Sequence, residues 1–367
     1  MRVGILGGGQ LARMLIQQGQ KMGLEMYVLC PKADDPAAQV TRNWVDGNPH
    51  QEADIVRFMK ELDLVTFESE FMNGSLLARL QKQTNCRIEP KPELIDLLQD
   101  RLTQKNWLLK HRIPTAPFVA VNCFDDLKQA THKFSKGLVL KKRRFGYDGY
   151  GTYILNPKDS LEPYHELFAQ SHDGFIAEAK VSFKRELATL VGRSTHGDFA
   201  VLPLVESHQK NQRCFWVKGP VKHKKYLPLL RKIKSLFKEE EYIGVIAFEL
   251  FDCQNELWVN EIAPRVHNSA HYSLDALSID QFSLHLKCIT GMKIANPELR
   301  QGGFAMLNLL GEGTGIPQWD LSPHLSLHWY GKSENRPGRK LGHLNSLAKK
   351  PNQALKAVLK AQKDFSL

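Results

Sequence analysis

Nowhere in the 367 residues do eighteen apolar positions run together, so no membrane-spanning helix and no membrane partner are expected. The chain opens straight into strand-like sequence without a basic and apolar leader, and a cytoplasmic protein is the expectation. Cysteine is sparse: Cys30, Cys86, Cys123, Cys214, Cys253 and Cys288 stand far apart. Without paired spacing they supply neither a disulfide framework nor a zinc site, and reduced thiols are expected. Internal repeats and low-complexity segments are absent. Aromatic residues do not interleave with basic ones, so the excess of 50 Lys and Arg over 39 Asp and Glu lacks the stacking platform of a nucleic-acid binder. Small polyanionic substrates explain the net charge of +11 as well as nucleic acid does.

What is present points to several domains. A hydrophobic content of 42% over this length exceeds one ordinary core and fits two or three. Strand, glycine turn, helix and strand follow one another at 2–6, 7–12, up to 22 and 25–29. Gly7, Gly9 and Ala12 make the G-x-G-x-x-A pattern that aims a helix N-terminus at phosphate. The acid that would hold a ribose is missing, because Leu29, Cys30, Pro31 and Lys32 close the second strand. A dinucleotide is therefore discounted, while a phosphate turn and a plain strand-to-helix turn both stay open. A helix at 54–62, an apolar strand at 63–67 and further alternation to about residue 95 read as a doubly wound parallel α/β domain. Glu68 and Glu70 stand at that strand's carboxyl end, where such sheets place ligands, or else on a solvated loop.

Residues 141–152, KKRRFGYDGYGT, join four basic side chains to Gly146, Gly149 and Gly151. Backbone N–H groups of such a loop wrap phosphate oxygens while a lysine adds point charge, and the glycines permit close approach. The densest stretch is 244–271, GVIAFELFDCQNELWVNEIAPRVHNSAH. Apolar segments at 245–251 and 257–262 around a turn-like 252–256 predict a hairpin. Pairing about Asn255 sets Glu249 opposite Glu261 on one face, about 5 Å apart at Cβ, where like charges repel. A hard divalent cation relieves that repulsion, taking carboxylate oxygens and completing its shell with water and phosphate. A slip of one residue would send one acid to the other face. Basic residues Lys332, Arg336, Arg339 and Lys340 in a Gly/Pro-rich hairpin at 327–343 suit an anion, and the lysine-rich end after 348 reads as a solvated helix.

Together GILGGGQLA, QDRLTQK at 99–105, RRFGYDGYGT, NEIAPRVHNSAH and YGKSENRPGRKLGH resemble the ATP-grasp ligases and, among them, the 5-(carboxyamino)imidazole ribonucleotide synthase family. The likeness covers nearly the whole chain, and NEIAPRVHNSAH with PGRKLGH is highly specific. It implies a multidomain α/β and α+β fold: an N-terminal α/β domain at 1–99, a two-lobed ATP-grasp unit at 100–291 with its lid lobe at about 115–178, and a small β-rich C-terminal domain at 292–367. It also implies a homodimer that joins bicarbonate to aminoimidazole ribonucleotide at the cost of ATP, with Mg²⁺.

By position, the resemblance gives ATP phosphates to Arg101 and Lys141, a lid to Gly146, Tyr147, Asp148, Gly149, Tyr150, Gly151 and Thr152, and an adenine hinge to Glu178, Ala179, Lys180 and Val181. Glu186 would take the ribose, Gln209 a further ATP contact, and Glu249 and Glu261 the metal. Asn260 is implied beside that metal, although strand alternation turns its side chain away from Glu261. Arg265, His267 and Asn268 match the bicarbonate site. Gly9, Gln10, Tyr147, Asp148, Lys332, Arg339 and Lys340 fall to the ribonucleotide, with Lys332 counted among the catalytic residues too. Departures are Tyr150 for a base, Gln209 for a histidine, Ser69 and Phe71 for an aromatic and an asparagine, Ala270 for a glycine, and one extra residue in the 332–339 loop. An active enzyme with altered affinities is the expectation. A regulator that has lost catalysis, another ATP-grasp ligase and a basic nucleic-acid binder are the rivals, the second disfavoured by HNSAH and PGRKLGH.

Overall fold

Parallel pairing sets Asn43–Asp46, Glu25–Cys30, Arg2–Leu6, Leu64–Phe67 and Arg87–Ile88 side by side in that order. The computed structural model describes residues 1–146, 149–169, 173–254, 256–313 and 324–363. Val3, Ile5, Leu64 and Val65 are all buried, as expected where helices cover both faces of a parallel sheet. The strand order reverses between Arg2–Leu6 and Leu64–Phe67, and the crevice above their carboxyl ends is the switch point of this domain.

A long antiparallel sheet forms the centre of the molecule. Its order is Glu256–Ala263, Gly244–Cys253, Glu186–Arg193, Val205–Lys210, Arg213–Gly219, Gly303–Leu310, Lys340–Ala348 and Leu325–Trp329, with Phe199–Val201 also paired to Glu186–Arg193. The C-terminal strands therefore continue the central sheet through the pairing of Arg213–Gly219 with Gly303–Leu310. The boundary expected at 291/292 does not separate two sheets, because hydrogen bonding crosses it. The terminal helix Pro351–Lys363 is likewise more than a solvated tail: Ala354 and Val358 are fully buried against this end of the sheet.

Helix Tyr226–Glu239 buries Leu229, Ile233, Leu236 and Phe237, a stripe at helical spacing that covers the sheet from one side. A third, four-stranded sheet runs Phe118–Val121, Phe175–Ala179, Leu138–Lys142 and Thr152–Leu155, all antiparallel. The basic glycine loop joins its last two strands. It thus hangs from a small separate sheet that faces the central one.

Candidate active site

Between the lid sheet and the central sheet lies a cavity of about 570 Å³. Its floor is the hairpin that the sequence singles out, but the register holds a correction. Cys253 pairs with Glu256 and Leu250 with Val259, so the half next to the turn is not centred on Asn255. Asn255 itself lies outside the described residues. A bulge then adds one residue, Asn260, to the return strand and restores Glu249 opposite Glu261. Simple alternation turns Asn260 away from the acids. The bulge brings it back: Asn260 lines the cavity and its Oδ1 accepts from Lys141 Nζ at 3.1 Å.

The two acids differ in surroundings. Burial, then Glu261 and Glu186, push the Glu249 carboxyl up to about 7. Glu261 instead accepts from Arg101 Nη2 at 2.9 Å. Glu186 opens its strand at the cavity edge, and burial raises its carboxyl to about 7 against the pull of Lys141. Carboxyls raised in this way mark a wall where positive charge would be bound favourably.

Arg101 starts the helix Arg101–Lys110, which Asp100 caps by accepting from Leu102 N–H at 2.9 Å. The same carboxylate holds Arg143 of the glycine loop at 2.6 Å. Arg101 donates to the carbonyls of Lys142 and Gly146, both at 3.1 Å, so one helix terminus fastens the root of the lid. A Cβ on Gly146 would meet Arg101 Nη1 at 2.5 Å, which explains glycine there. Gly149 and Gly151 have φ of +82° and +75°, the region that glycine enters without strain. Tyr147 and Asp148 lie outside the described residues.

Glu178, one residue before the end of the inner lid strand, carries two cations on its carboxylate, Lys141 at 3.1 Å and Lys105 at 2.9 Å. Burial raises this carboxyl, but the two lysines outweigh it and hold it below the ordinary value. Lys105 is 1% exposed and also donates to Thr115 Oγ1 at 2.7 Å, which in turn donates to Val259 O. Its place in the QDRLTQK helix, one turn after Arg101, is the signal for it: i and i+4 share a face. Lys105→Met is expected to destabilise the protein on the order of 3 kcal/mol, at the low end for a broken buried pair because Lys141 remains on Glu178. The midpoint of urea unfolding measures it.

Arg265 leaves the hairpin towards the first sheet and meets Glu70. Its Nε and Nη2 both donate to that carboxylate, the second at 3.0 Å, and Nη1 donates to Val266 O at 3.0 Å. A guanidinium has five N–H donors. Among the described residues three are used, which leaves one on Nη1 and one on Nη2 for an anion. His267 accepts at Nδ1 from Ser269 N–H, which puts the proton of the neutral ring on Nε2, 3.6 Å from Glu249 Oε1. Asn268 donates to Asn308 Oδ1 at 3.0 Å, and its own Oδ1 is buried without a hydrogen-bond partner among the described residues. A ligand in the cavity would supply one.

Most of the expected residues therefore converge. Arg101, Lys141, Gly146, Gly149, Thr152 and the hinge from Glu178 to Val181 line the cavity. So do Glu186, Gln209, Glu249, Asn260 and Glu261, together with Arg265, His267, Asn268, Gln10 and Lys340. Tyr150, Gly151, Gly9, Lys332 and Arg339 are not on its wall. Tyr150 is exposed, with Lys142 over its ring, and Arg339 pairs with Glu334 at 3.0 Å. Lys332 lies over Tyr330 and near Glu68. The glycine turn at 7–12, left open between a phosphate turn and a plain one, has an internal partner. Glu68, half-buried at the switch point, accepts from Gly9 N–H at 2.7 Å and Ala12 N–H at 3.2 Å, so a protein carboxylate sits on this helix N-terminus. Glu70 was legible only as an acid at a strand end, because its partner lies 195 positions away.

The ATP-grasp domain family matches residues 106–282, the ribonucleotide synthetase preATP-grasp domain 1–99, and the phosphoribosylaminoimidazole carboxylase C-terminal domain 305–357. An N5-carboxyaminoimidazole ribonucleotide synthase of Synechococcus elongatus is 36% identical over 93% of this chain and 88% of its own. The crystal structure of N5-carboxyaminoimidazole synthetase from Staphylococcus aureus complexed with ADP superimposes with a TM-score of 0.89 at 31% identity, covering 98% and 96% of the two chains. That of the Aspergillus clavatus synthase with ADP and 5-aminoimidazole ribonucleotide does so with a TM-score of 0.86 at 26% identity, over 99% and 97%.

Proposed function

The chain belongs to the N5-carboxyaminoimidazole ribonucleotide synthase family of ATP-grasp enzymes, and on that footing we propose how its cavity performs the reaction. It is an ATP-grasp ligase of purine biosynthesis that carboxylates 5-aminoimidazole ribonucleotide while ATP becomes ADP and phosphate. The observation that supports the assignment of residues is that an opposed acid pair and a half-free guanidinium open on the same cavity.

In this reading the hinge from Glu178 to Val181 receives adenine and Glu186 the ribose. Arg101 and Lys141 meet the phosphates, with Gln209 beside them. Glu249 and Glu261 would hold Mg²⁺ with Asn260 next to them. Among the described residues no group of three or more His, Cys, Asp or Glu could form a protein cage. Two facing acids, Glu249 and Glu261, fit a cation that keeps water and substrate phosphate in its shell. When bound, that ion neutralises charge on the triphosphate.

Bicarbonate is a poor electrophile. Arg265 would take it on the two donors that Glu70 and the Val266 carbonyl leave, and His267 and Asn268 would orient it. One of its oxygens forms a bond to the γ-phosphorus as the bond to ADP breaks, giving carboxyphosphate. The exocyclic amine then forms the C–N bond as the C–O bond to phosphate breaks, and the departing phosphate accepts the amine proton. Gly146, Gly149 and Gly151 let the lid close so that water does not hydrolyse the intermediate. Lys332, Arg339, Lys340, Gly9 and Gln10, with Tyr147 and Asp148, are assigned to the ribonucleotide. A homodimer and a cytoplasmic location complete the proposal. Among the described residues no helix is long and apolar enough to cross a membrane.

ADP release with each substrate omitted in turn is the test. Release that falls to background without bicarbonate, and again without aminoimidazole ribonucleotide, is the expected result. Full release without bicarbonate would overturn the proposal, and ATP binding with no turnover would favour a regulator.

A further inference from the structure

Gln281 is fully buried at the start of the helix Gln281–Thr290, and no part of the reaction above uses it. Its carboxamide is held one way round. Oε1 accepts from His267 N–H at 2.7 Å, while Nε2 donates to His267 O at 2.9 Å and meets His271 Nδ1 at 2.8 Å. A peptide nitrogen only donates and a peptide oxygen only accepts, so the amide cannot be flipped without losing both backbone bonds. His271 Nδ1 must therefore accept, and the proton of the neutral ring must sit on Nε2. His271 is 1% exposed and lines the same cavity as Arg265, His267, Asn268 and Lys340. Among the described residues no group is hydrogen-bonded to its Nε2. The ring is clamped between His343 at 4.9 Å and Phe282 at 5.7 Å, so it cannot swing to find a partner elsewhere. Burial, with His267, Lys340 and Arg265 nearby, holds its pKa well below the ordinary value and keeps it neutral.

We propose that Gln281 and His271 are a second orienting unit of the one-carbon bay: Gln281 is a positioning residue that fixes the His267 backbone and the His271 tautomer, and His271 offers Nε2–H to the bicarbonate or to the carboxyphosphate made from it. This rests on the assignment of Arg265, His267 and Asn268 to bicarbonate. His267 and His271 then present the same edge, one fixed by Ser269 N–H and the other by Gln281. A neutral donor there binds an anion without the desolvation cost of a further buried cation.

The test uses the full-length enzyme with bicarbonate varied at saturating ATP and aminoimidazole ribonucleotide. His271→Gln carries an amide N–H to where Nε2 stood, whereas His271→Asn reaches only the Nδ1 position. His271→Asn is expected to lower kcat/KM for bicarbonate by about 30-fold, the loss of one hydrogen bond to a charged group, and His271→Gln to restore most of it. KM for ATP should not move. Gln281→Glu, which demands a proton on Nδ1, is expected to act like His271→Asn. In ¹⁵N spectra of the imidazoles, the wild-type enzyme should show His271 Nδ1 as the unprotonated type and Gln281→Glu should reverse it. If Arg265→Lys impairs bicarbonate use while His271→Asn and Gln281→Glu do not, this inference fails and the bicarbonate assignment stands. If Arg265→Lys has no effect either, the assignment itself fails. Should the His271 variants not fold, a protonated Nδ1 in the wild-type spectrum would overturn the inference alone.

Discussion

Arg265→Ala is expected to lower kcat/KM for bicarbonate by about 10²–10³-fold, as loss of a preorganised charged donor does, with KM for ATP held within about twofold. Two effects add. The anion loses its two-donor fork, and Glu70, whose carboxylate that guanidinium neutralises, is uncovered at the edge of the bay. Burial raises the Glu70 carboxyl, and Arg265 outweighs it in the intact protein. Without the arginine Glu70 repels bicarbonate when ionised. Adding Glu70→Gln should therefore recover stability and part of the bicarbonate KM but not the rate. Equal loss for ATP and bicarbonate in Arg265→Ala would instead mean that the ion pair only braces the contact between the first sheet and the hairpin.

Glu261→Gln carries the second large effect. It keeps the shape of the hairpin but removes one of the two facing charges and weakens the bond to Arg101. A fall in kcat of about 10³-fold is expected, several kcal/mol of transition-state charge stabilisation, if the acid pair gathers the metal and triphosphate. Stability should behave differently. Glu249 is raised partly by Glu261, so relieving that repulsion leaves the unliganded variant at least as stable as the wild type. Mg²⁺ with ATP should raise the melting temperature of the wild-type enzyme, because only the folded state binds them, and should fail to raise that of the variant. Turnover within about tenfold of wild type, or an intact thermal shift, would remove Glu261 from the metal site.

Glycines, caps and strand alternation made much of this legible in advance. The parallel domain follows from alternating apolar strands and helices in the first 95 residues, and Glu178 follows a stretch that reads as an apolar strand. Lys105 stands in a motif noted for its likeness, yet nothing local says that its ammonium reaches Glu178, 73 positions along, or that it is buried. The Glu249 and Glu261 pairing came out opposite for a reason the sequence does not contain. A count about Asn255 gives the right partners only because an unanticipated bulge at Asn260 compensates for a turn centred elsewhere. That bulge also decides that Asn260 belongs to the site.

Local chemistry determined which residue types stand where: the glycines of the lid, the paired acids of one hairpin, the run from Arg265 to His271, and the lack of any segment apolar enough to span a bilayer. Those are properties of short stretches, fixed by backbone sterics and side-chain charge within a few residues. Only the tertiary structure decided that Glu68 sits on the first helix N-terminus, that Glu70 leaves half of a guanidinium open, and that Gln281 sets the tautomer of His271. Each depends on hydrogen bonds between segments distant in sequence, whose directions follow from how three sheets are packed.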